Sequence, residues 1–589
     1  MFFIKDGKTE YKLIVKAPAS ERVEFAVKEL TDFILEATSC QMQTAEEGYT
    51  GKAVVLTYTD KGNEGYRIYT KNGNYYVEGY CEKGLIYGVY GLLRRVAGLI
   101  FYTSDFYDIK KGDIEFNELD EERIPDIPSR AIHNVPISSS ALDAPLTKGA
   151  FRMGVSSMGD NWGICNHSHF KILPPATYKE AHPDWYTQGD GGLNLCFSNL
   201  EMRAEFVAQL KRIILEHPHS KYFMLGHEDH EYACECEACV AKLKRPGGVT
   251  VIELEFSNEV VKEINAWIKQ EKIEREIIIV MFAYMYTIFP PVKKVGDKYE
   301  PLFDFKLEKN LGVMVAPILA RGDKSLFDDE NYYPKGSCYY DMYRYQTKDV
   351  LMGWRSLVEK LFIWSYCIET NETLAPFNCW DALEGNYRGF KELNVEYVFE
   401  EVSYTAIVPN FHYLRPYVLS KLMWDSSCSI ERAIDEFIEG FYGKSATPYM
   451  RKYFDFLREH CRKIATEKGR PMFYVGFDDF SLVSTAPEYW DFDTLKEALR
   501  LHEEVVAHAD SEYMVNVEEE GYPVWYMLLA RYNSRMSDDE RYELAKKACV
   551  IIDKYNYDLE RPVEGIPRLY LSRIKRIVEN PYYRTVDKK

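Results

Sequence analysis

The sequence predicts an α/β protein built around a (β/α)8 barrel of the TIM type, with a small α/β domain before it and a helical domain after it. Short apolar segments alternate with longer amphipathic segments from residue 130 to residue 424. Before residue 123 the segments are shorter, and after residue 425 the apolar residues recur with a helical period. The predicted domains are therefore 1–122, 123–425 and 426–589.

The first domain is predicted from two buried strands, one helix and a hairpin. Tyr11–Val15 and Ala53–Thr57 are typical of strands, and Arg22–Ala37 has apolar residues at helical spacing. Tyr66–Thr70 and Tyr75–Gly79 flank an Asn-Gly turn, which is a strong hairpin signal.

A glycine-rich segment, 84–93, follows the hairpin. Glycine disfavours helices, so we expect tertiary packing to hold this helix and its glycines to permit close approach. The proline-containing segment 124–128 is predicted to be the linker to the barrel.

Eight segments of the second domain have the length and composition of buried strands: Arg130–Val135, Phe151–Ser156, Leu193–Phe197, Tyr222–Gly226, Ile277–Phe282, Leu311–Ala316, Leu361–Ser365 and Val395–Phe399. Three of the intervening helices are amphipathic: Met202–Leu215, Ile252–Gln270 and Asp381–Leu393. The third domain has five predicted helices: Ser429–Phe441, Pro448–Ala465, Asp493–Ala509, Val524–Met536 and Asp538–Tyr555.

Composition excludes several classes of protein. Hydrophobic residues make up 46 % of the 589 residues and charged residues 28 %, which excludes a disordered chain. The 73 Lys and Arg against 92 Asp and Glu give a net charge of −19, unlike a nucleic-acid binder or a protein of anionic membrane surfaces. The aromatic content of 15 % fits either a large core or a surface on which sugars stack.

The cysteine count and the N-terminus predict a cytoplasmic protein. Residues 1–17 lack a basic region followed by an apolar core and a cleavage site. The chain has 13 cysteines, an odd number scattered over a long sequence, which favours reduced thiols over a disulfide framework.

The fourth predicted strand ends in a cluster of polar residues. His227, Glu228 and Asp229 follow it directly, at the strand end where a barrel places its chemistry. A carboxylate here could be a general acid, an electrostatic stabiliser or a metal ligand, and the alternative is a solvated acidic loop.

Three cysteines come next, Cys234, Cys236 and Cys239. Their spacing predicts a structural zinc site with Cys196 or a histidine as fourth ligand. Reduced thiols packing a loop and a disulfide are the alternatives.

The eighth predicted strand ends in Glu400. If Phe399 packs against the outer helices, alternation of side chains points Glu400 into the barrel mouth. Glu400 and Asp229 are therefore the first candidates for acid–base chemistry, followed by Glu228. Aromatic and histidine side chains near the strand ends are candidates for substrate binding: His227, Trp162, Tyr284, Tyr286, Trp364, Trp380 and Tyr404.

Several motifs together resemble one family. They are His182-Pro183-Asp184-Trp185-Tyr186, Leu195-Cys196-Phe197-Ser198-Asn199, Glu228-Asp229 before the three cysteines, Phe256-Ser257-Asn258, Ala283-Tyr284-x-Tyr286, Trp364-Ser365-Tyr366, Val398-Phe399-Glu400 and Leu414-x-x-Tyr417-x-x-x-Lys421-Leu422-x-Trp424-Asp425. Over residues 125–450 the chain resembles the bacterial glycoside hydrolases of family 163, which include endo-β-N-acetylglucosaminidases acting on N-glycans. Residues 88–93 resemble the small domain that precedes the barrel in β-hexosaminidases and α-glucuronidases.

The resemblance implies a barrel that hydrolyses β-linked N-acetylhexosamine glycans with acidic residues. Asp229 matches the acid before the cysteine cluster, and Glu400 matches the glutamate of the last strand. Glu228 stands where relatives commonly have Asn, and Glu401-Val402 where they have Gln-Gly.

The sequence thus predicts a glycoside hydrolase, endo or exo, that acts on a β-linked amino sugar. The 2-acetamido group of the sugar can assist as the nucleophile, and catalysis is expected to need no cofactor. Its expected partner is an oligosaccharide derived from N-glycans. An α-glucuronidase, with Arg152 or Arg321 for the uronate, and a non-catalytic carbohydrate-binding barrel are the alternatives.

Overall fold

The structure is a computed structural model that describes residues 2–134, 148–157, 159–232, 234–333, 346–368, 374–403, 410–468, 489–554 and 568–579. Tyr404, predicted to bind substrate, lies outside these residues.

The N-terminal region contains a six-stranded mixed sheet with the order β10-β5-β6-β4-β2-β3. Its strands and those of two small pairs are β1 (Phe2–Ile4), β2 (Lys12–Val15), β3 (Gln43–Thr44), β4 (Ala53–Tyr58), β5 (Tyr66–Lys71), β6 (Asn74–Gly79), β7 (Ile100–Phe101), β8 (Tyr107–Asp108), β9 (Ile114–Glu115) and β10 (Asp120–Arg123). Two helices accompany them, α1 (Glu21–Thr38) and α2 (Glu82–Ala97).

The hairpin and the glycine-rich helix form as the sequence predicts. Asn72 and Gly73 have φ of 53° and 73°, the left-handed conformation that a tight turn between β5 and β6 requires. A Cβ on Gly88 would lie 2.7 Å from Val77, so α2 approaches the sheet as closely as it does only because this residue is glycine.

Seven parallel strands form the central sheet, in the order β11-β19-β18-β17-β14-β13-β12. They are β11 (Ser129–Asn134), β12 (Trp162–Ile164), β13 (Tyr222–Leu225), β14 (Ile278–Ala283), β17 (Leu311–Val315), β18 (Lys360–Tyr366) and β19 (Tyr397–Ser403). A separate hairpin, β15 (Val292–Val295) and β16 (Lys298–Pro301), follows β14. The central part of the fold is thus a barrel-like α/β arrangement, with seven parallel strands in its sheet among the described residues.

The predictions of the second and third strands are wrong. Residues Lys148–Arg152 form helix α3, Gly154 turns the chain with φ of 76°, and only Ser156 pairs with β11, by one parallel bridge to Ala131. Leu195 instead makes an antiparallel bridge to Tyr186 in a local loop. The strand that precedes β13 along the chain and pairs with it is β12 instead.

Helices surround the sheet and then continue alone to the end of the described chain. The remaining helices are α4 (His169–Ile172), α5 (Pro175–Tyr178), α6 (Leu200–Glu216), α7 (Glu237–Leu243), α8 (Gly248–Glu271), α9 (Thr347–Leu357), α10 (Trp380–Glu392), α11 (Leu414–Trp424), α12 (Ile430–Tyr442), α13 (Thr447–Lys468), α14 (Phe492–His508), α15 (Met514–Glu519), α16 (Tyr522–Arg531), α17 (Asp538–Lys554) and α18 (Arg568–Glu579). None of the described helices is both long and apolar enough to cross a membrane.

Aromatic side chains fill the barrel at the amino-terminal ends of its strands. The ring of Trp162 lies 5.1 Å from that of Tyr222, 5.9 Å from that of Phe362 and 5.5 Å from that of Tyr397. These four residues, the lower aromatic layer, close the barrel from below. One continuous apolar core joins the barrel to the C-terminal helices, and a second core lies between α1, α2 and the N-terminal sheet.

Candidate active site

Strand β19 carries two adjacent glutamates near its carboxyl end, and they point to opposite faces of the sheet. Glu400 points outward: its Oε1 accepts a hydrogen bond of 2.9 Å from the hydroxyl of Tyr387 on α10. Glu401 points inward, where its Oε2 accepts a bond of 2.7 Å from Nε1 of Trp364. The prediction that Glu400 faces the barrel mouth is therefore wrong, and Glu401 is the carboxylate that faces it.

The aromatic residue before these glutamates fixes their orientation. Phe399 pairs in register with Trp364 on β18, and their ring centroids lie 4.3 Å apart inside the barrel. Because side chains alternate along a strand, an inward Phe399 places Glu400 outward and Glu401 inward. A strand of a parallel sheet is apolar on both faces, so its hydrophobic pattern does not reveal this phase.

Glu400 is enclosed between the sheet and α10, with 1 % of its surface exposed. Burial raises the pKa of this carboxyl from 4.5 to about 7, while the hydroxyls of Tyr387 and Ser365 act in the opposite direction. Near neutral pH a large fraction of Glu400 is therefore protonated.

Glu401 has polar neighbours on both adjacent strands. His133 on β11 and Tyr366 on β18 are its register partners at the carboxyl edge of the sheet. The imidazole of His133 lies 5.9 Å from the ring of Phe399, which places it on the interior face, and burial lowers its pKa. A glutamate, a neutral histidine and a tyrosine thus form one row at the mouth. Sequence reasoning missed His133, which stands within the first predicted strand, Arg130–Val135, rather than directly after it.

The loop after β13 supplies the second pair of carboxylates. Three strands of the sheet, β14, β17 and β18, separate β13 from β19. Oε1 of Glu228 accepts a bond of 2.9 Å from the backbone N–H of Phe170, and the Glu228 N–H donates to Oδ1 of Asn194 at 3.0 Å. Asp229 is exposed beside it. Both pairs lie at the carboxyl edge of the sheet, as the sequence predicts for Glu228 and Asp229.

His227 lies behind this loop and does not line the mouth. It is buried against α8, where its Nδ1 lies 3.0 Å from Oε1 of Glu253. Burial lowers the pKa of His227 to about 3 and raises that of Glu253 well above its ordinary value, so both groups favour their neutral forms. The expected contact between His227 and substrate is therefore wrong, and its place suits support of the loop.

His167 bridges this loop and the barrel interior. Its Nδ1 lies 2.5 Å from the carbonyl oxygen of His227. A carbonyl only accepts, so Nδ1 carries the proton and, in the neutral ring, Nε2 carries the lone pair. The ring lies 5.8 Å from both Phe282 and Tyr284, and Phe282 lies 5.9 Å from Trp364.

Phe282, Trp364 and Phe399 together form an aromatic floor under the carboxylates. Tyr284 stacks on Phe282 at 4.9 Å, so it lies beside this floor, and Trp364, which is predicted to bind substrate, is part of the floor. The rings of Phe282, Trp364 and Phe399 are buried, with 2 %, 8 % and 1 % of their surfaces exposed, so they form the apolar base of the mouth, and Trp364 is the most exposed of the three.

Three other aromatic residues predicted to bind substrate lie elsewhere. Trp162 belongs to the lower aromatic layer, at the end of the barrel opposite the mouth. Trp380 is buried against α13, with its ring 5.3 Å from that of Phe454. Tyr286 is buried with its ring 4.3 Å from His227. Trp162 and Trp380 are corrected to core residues, because each fills space between packed elements.

The two arginines considered for a uronate are both held by carboxylates. Arg152 is paired with Glu29 at 2.8 Å and 3.0 Å, against the N-terminal region. Arg321 follows β17 and is bound at 3.0 Å and 2.8 Å by the two oxygens of Asp323.

A cavity of about 420 Å³ lies away from the mouth, among α2, α3 and α11. Arg152, Tyr87 and Trp424 are among its lining residues, and it contains none of the carboxylates described above. The cysteines Cys196, Cys234, Cys236 and Cys239 converge in a separate cluster beside the β13 loop.

The fold and the paired carboxylates define a barrel-like α/β protein with an acidic mouth. The chain belongs to the family described as a domain of unknown function, DUF4838, whose model matches residues 147–455, more than half of its length. No curated protein matches the sequence.

A solved structure of a glycoside hydrolase has a similar fold. BtGH115A, a family GH115 4-O-methyl-α-glucuronidase with specificity for decorated arabinogalactans, aligns with a TM-score of 0.59 and 11 % identity over 100 % of this chain and 80 % of that one. A GH138 enzyme targeting pectin rhamnogalacturonan II aligns at 0.43 and 11 % over 98 % and 100 %. CpGH84B aligns at 0.39 and 14 % over 98 % and 96 %. At these identities the similarity to BtGH115A concerns the fold alone, and the other two are too distant to support an inference.

Proposed function

We propose that this protein is a glycoside hydrolase whose active site is the acidic mouth of the barrel. The observation that carries the proposal is the inward carboxylate of Glu401, held by the indole N–H of Trp364 above an aromatic floor. Chemistry in barrels of this kind takes place at the carboxyl ends of the strands, where Glu401 lies.

Glycoside hydrolysis requires an acid to protonate the leaving oxygen and a negative group near the anomeric carbon. Glu401 and Asp229 take these two tasks in our proposal, with Glu228 supporting the loop. Glu228 accepts a backbone hydrogen bond and is only half exposed, whereas Asp229 is exposed and able to reach a substrate. Glu401 replaces Glu400 in this assignment because Glu400 is enclosed against α10.

The proposed substrate is a β-linked N-acetylhexosamine in an oligosaccharide derived from N-glycans. The similarity of the sequence motifs to glycoside hydrolase family 163 supports this choice. In such a sugar the 2-acetamido carbonyl can attack the anomeric carbon, and Asp229 would orient the amide and stabilise the positive charge that forms.

The two arginines considered for a uronate do not support a uronate site. Recognition of a uronate carboxylate calls for a cation, usually an arginine with free donors. Arg152 faces the N-terminal region, and Arg321 has its guanidinium occupied by Asp323. An α-glucuronidase therefore remains the second candidate, suggested by the motif of the first domain.

A panel of aryl glycosides tests the proposal. It contains the β-N-acetylglucosaminide, the α-glucuronide and a β-linked N-acetylglucosamine oligosaccharide, since an endo-acting enzyme needs sugars on both sides of the bond. We expect turnover of an N-acetylglucosaminide that is lost in Glu401→Gln and retained in Glu231→Gln, an exposed control on the β13 loop. Turnover of the glucuronide alone would move the substrate to the second candidate, and binding without any turnover would contradict a hydrolase.

A further inference from the structure

Four cysteine sulfurs meet beside the loop that carries Glu228 and Asp229. Cys234 and Cys236 lie in that loop, Cys239 lies in the first turn of α7, and Cys196 comes from the segment before α6. Sγ of Cys196 lies 3.7 Å from that of Cys234, 3.6 Å from that of Cys236 and 3.7 Å from that of Cys239. All four sulfurs lie within 4.8 Å of one another.

This spacing matches four ligands around one centre. Zinc bound tetrahedrally to sulfur at about 2.3 Å requires sulfur–sulfur distances of about 3.8 Å. A disulfide would bring one pair of sulfurs together and leave the other two apart, whereas Cys196 is equidistant from its three neighbours.

Hydrogen-bonding groups surround the sulfurs of Cys236 and Cys239. The hydroxyls of Ser198 and Tyr232 each lie 3.1 Å from Sγ of Cys239, and the backbone N–H of Cys239 donates to Sγ of Cys236 at 3.3 Å. Such hydrogen bonds from a second layer are typical of metal sites.

We propose that Cys196, Cys234, Cys236 and Cys239 bind one structural Zn²⁺. Four thiolates in a closed tetrahedral arrangement leave no open position for a substrate or water, which is the arrangement of structural rather than catalytic zinc. Thiolate ligands also select zinc over magnesium or calcium, which prefer oxygen.

The ion would join the β13 loop to the segment before α6. Weaker contacts already connect them: the Asn194 side chain donates to the carbonyls of His230 and Glu231 at 3.2 Å and 3.3 Å, and the rings of Phe197 and Tyr232 stack at 4.9 Å. The zinc would complete this connection and hold Glu228 and Asp229 at the mouth; only this consequence rests on the proposed function.

Elemental analysis of the full-length protein, purified without a metal-binding tag, tests the site. We expect about one zinc per chain in the wild type and less than about 0.2 in Cys239→Ser. Cys428→Ser, which alters a half-buried thiol outside the cluster, should retain about one zinc. Zinc absent from folded wild-type protein, iron in its place, or full zinc content in Cys239→Ser would overturn the proposal.

A second measurement uses only the wild-type protein, in case Cys239→Ser does not fold. A mercurial titrated into the protein should release about one zinc per chain, detected with a chromogenic chelator, and trypsin should then cleave after Lys242 or Lys244, the residues it recognises next to the cluster. Release of no zinc would overturn the proposal. Neither measurement depends on turnover, so failure of the zinc site and failure of the hydrolase proposal are distinguishable.

Discussion

Exchanging each glutamate at the end of β19 for glutamine should have opposite effects on activity and stability. In Glu401→Gln the side chain keeps its volume and can still accept from Trp364, but it loses its charge and its transferable proton. We expect kcat to fall by about 10²–10⁴-fold. Glu400→Gln should change kcat by less than about tenfold, because Glu400 lies behind the sheet against Tyr387.

The stability of Glu400→Gln should differ from wild type in a pH-dependent way. The folded-state pKa of Glu400, about 7, lies above its ordinary value of 4.5. Its contribution to stability is therefore complete below about pH 4.5 and is lost as the pH rises through about 7. At 1.36 kcal/mol per pKa unit the whole loss is about 3 kcal/mol, most of it between pH 5 and pH 8.

Unfolding by urea at pH 5 and pH 8, together with steady-state kinetics, measures both effects. Relative to wild type, Glu400→Gln should gain about 2–3 kcal/mol of unfolding free energy between the two pH values. Glu401→Gln is the matched variant for the comparison of kcat. If Glu400→Gln loses activity and Glu401→Gln keeps it, the orientation of β19 is wrong. If Glu400→Gln keeps the pH dependence of the wild type, Glu400 is not a buried carboxyl.

Three further predictions concern the mouth. Trp364→Phe removes the hydrogen-bond donor to Glu401 but keeps an aromatic ring, so kcat should fall about tenfold or more. The control, Trp380→Phe, should leave kcat unchanged and lower the melting temperature. Equal kcat values for the two variants would exclude a role for the indole N–H of Trp364. Asp229→Asn should lower kcat by at least about tenfold, measured beside Glu231→Gln, and an unchanged rate would remove Asp229 from the site. The pH–rate profile should be bell-shaped, with apparent pKa values that belong to the coupled carboxylates, and a rate flat from about pH 5 to pH 9 would contradict carboxylate acid catalysis.

Hydrophobic pattern alone predicted most of the barrel strands. Segments such as Tyr222–Leu225 and Leu311–Val315 are apolar on both faces and short, as buried parallel strands must be. The segment around Leu195 has the same pattern but no strand forms, because Thr187 and Asn194 exchange local hydrogen bonds and Gly189, Gly191 and Gly192 turn the chain with positive φ. Short apolar runs do not reveal such local competition.

The candidate site was predictable in position and not in orientation. Acidic residues directly after β13 and at the end of β19 locate the mouth, since strand ends gather at one edge. Which of Glu400 and Glu401 enters the barrel depends on the partner of Phe399, the distant residue Trp364, and no local pattern encodes that pairing. The same limit applies to Trp162 and Trp380, whose burial depends on elements far away in sequence.

The cysteine cluster, in contrast, was predictable from the sequence. The spacing of Cys234, Cys236 and Cys239 within six residues indicated a shared site. The predicted fourth member is Cys196 or a histidine, and the structure places the sulfur of Cys196 3.6–3.7 Å from each of the other three. A chemically distinctive residue type carries information across the chain that an apolar residue does not.

A crystal structure of Glu401→Gln with a bound N-acetylglucosamine oligosaccharide tests the central claim most directly. We predict a sugar ring in the barrel mouth, with its anomeric carbon between residue 401 and the carboxylate of Asp229. A sugar bound instead in the cavity among α2, α3 and α11, or on the side of the sheet where Glu400 lies, would contradict the assignment of the barrel mouth as the active site.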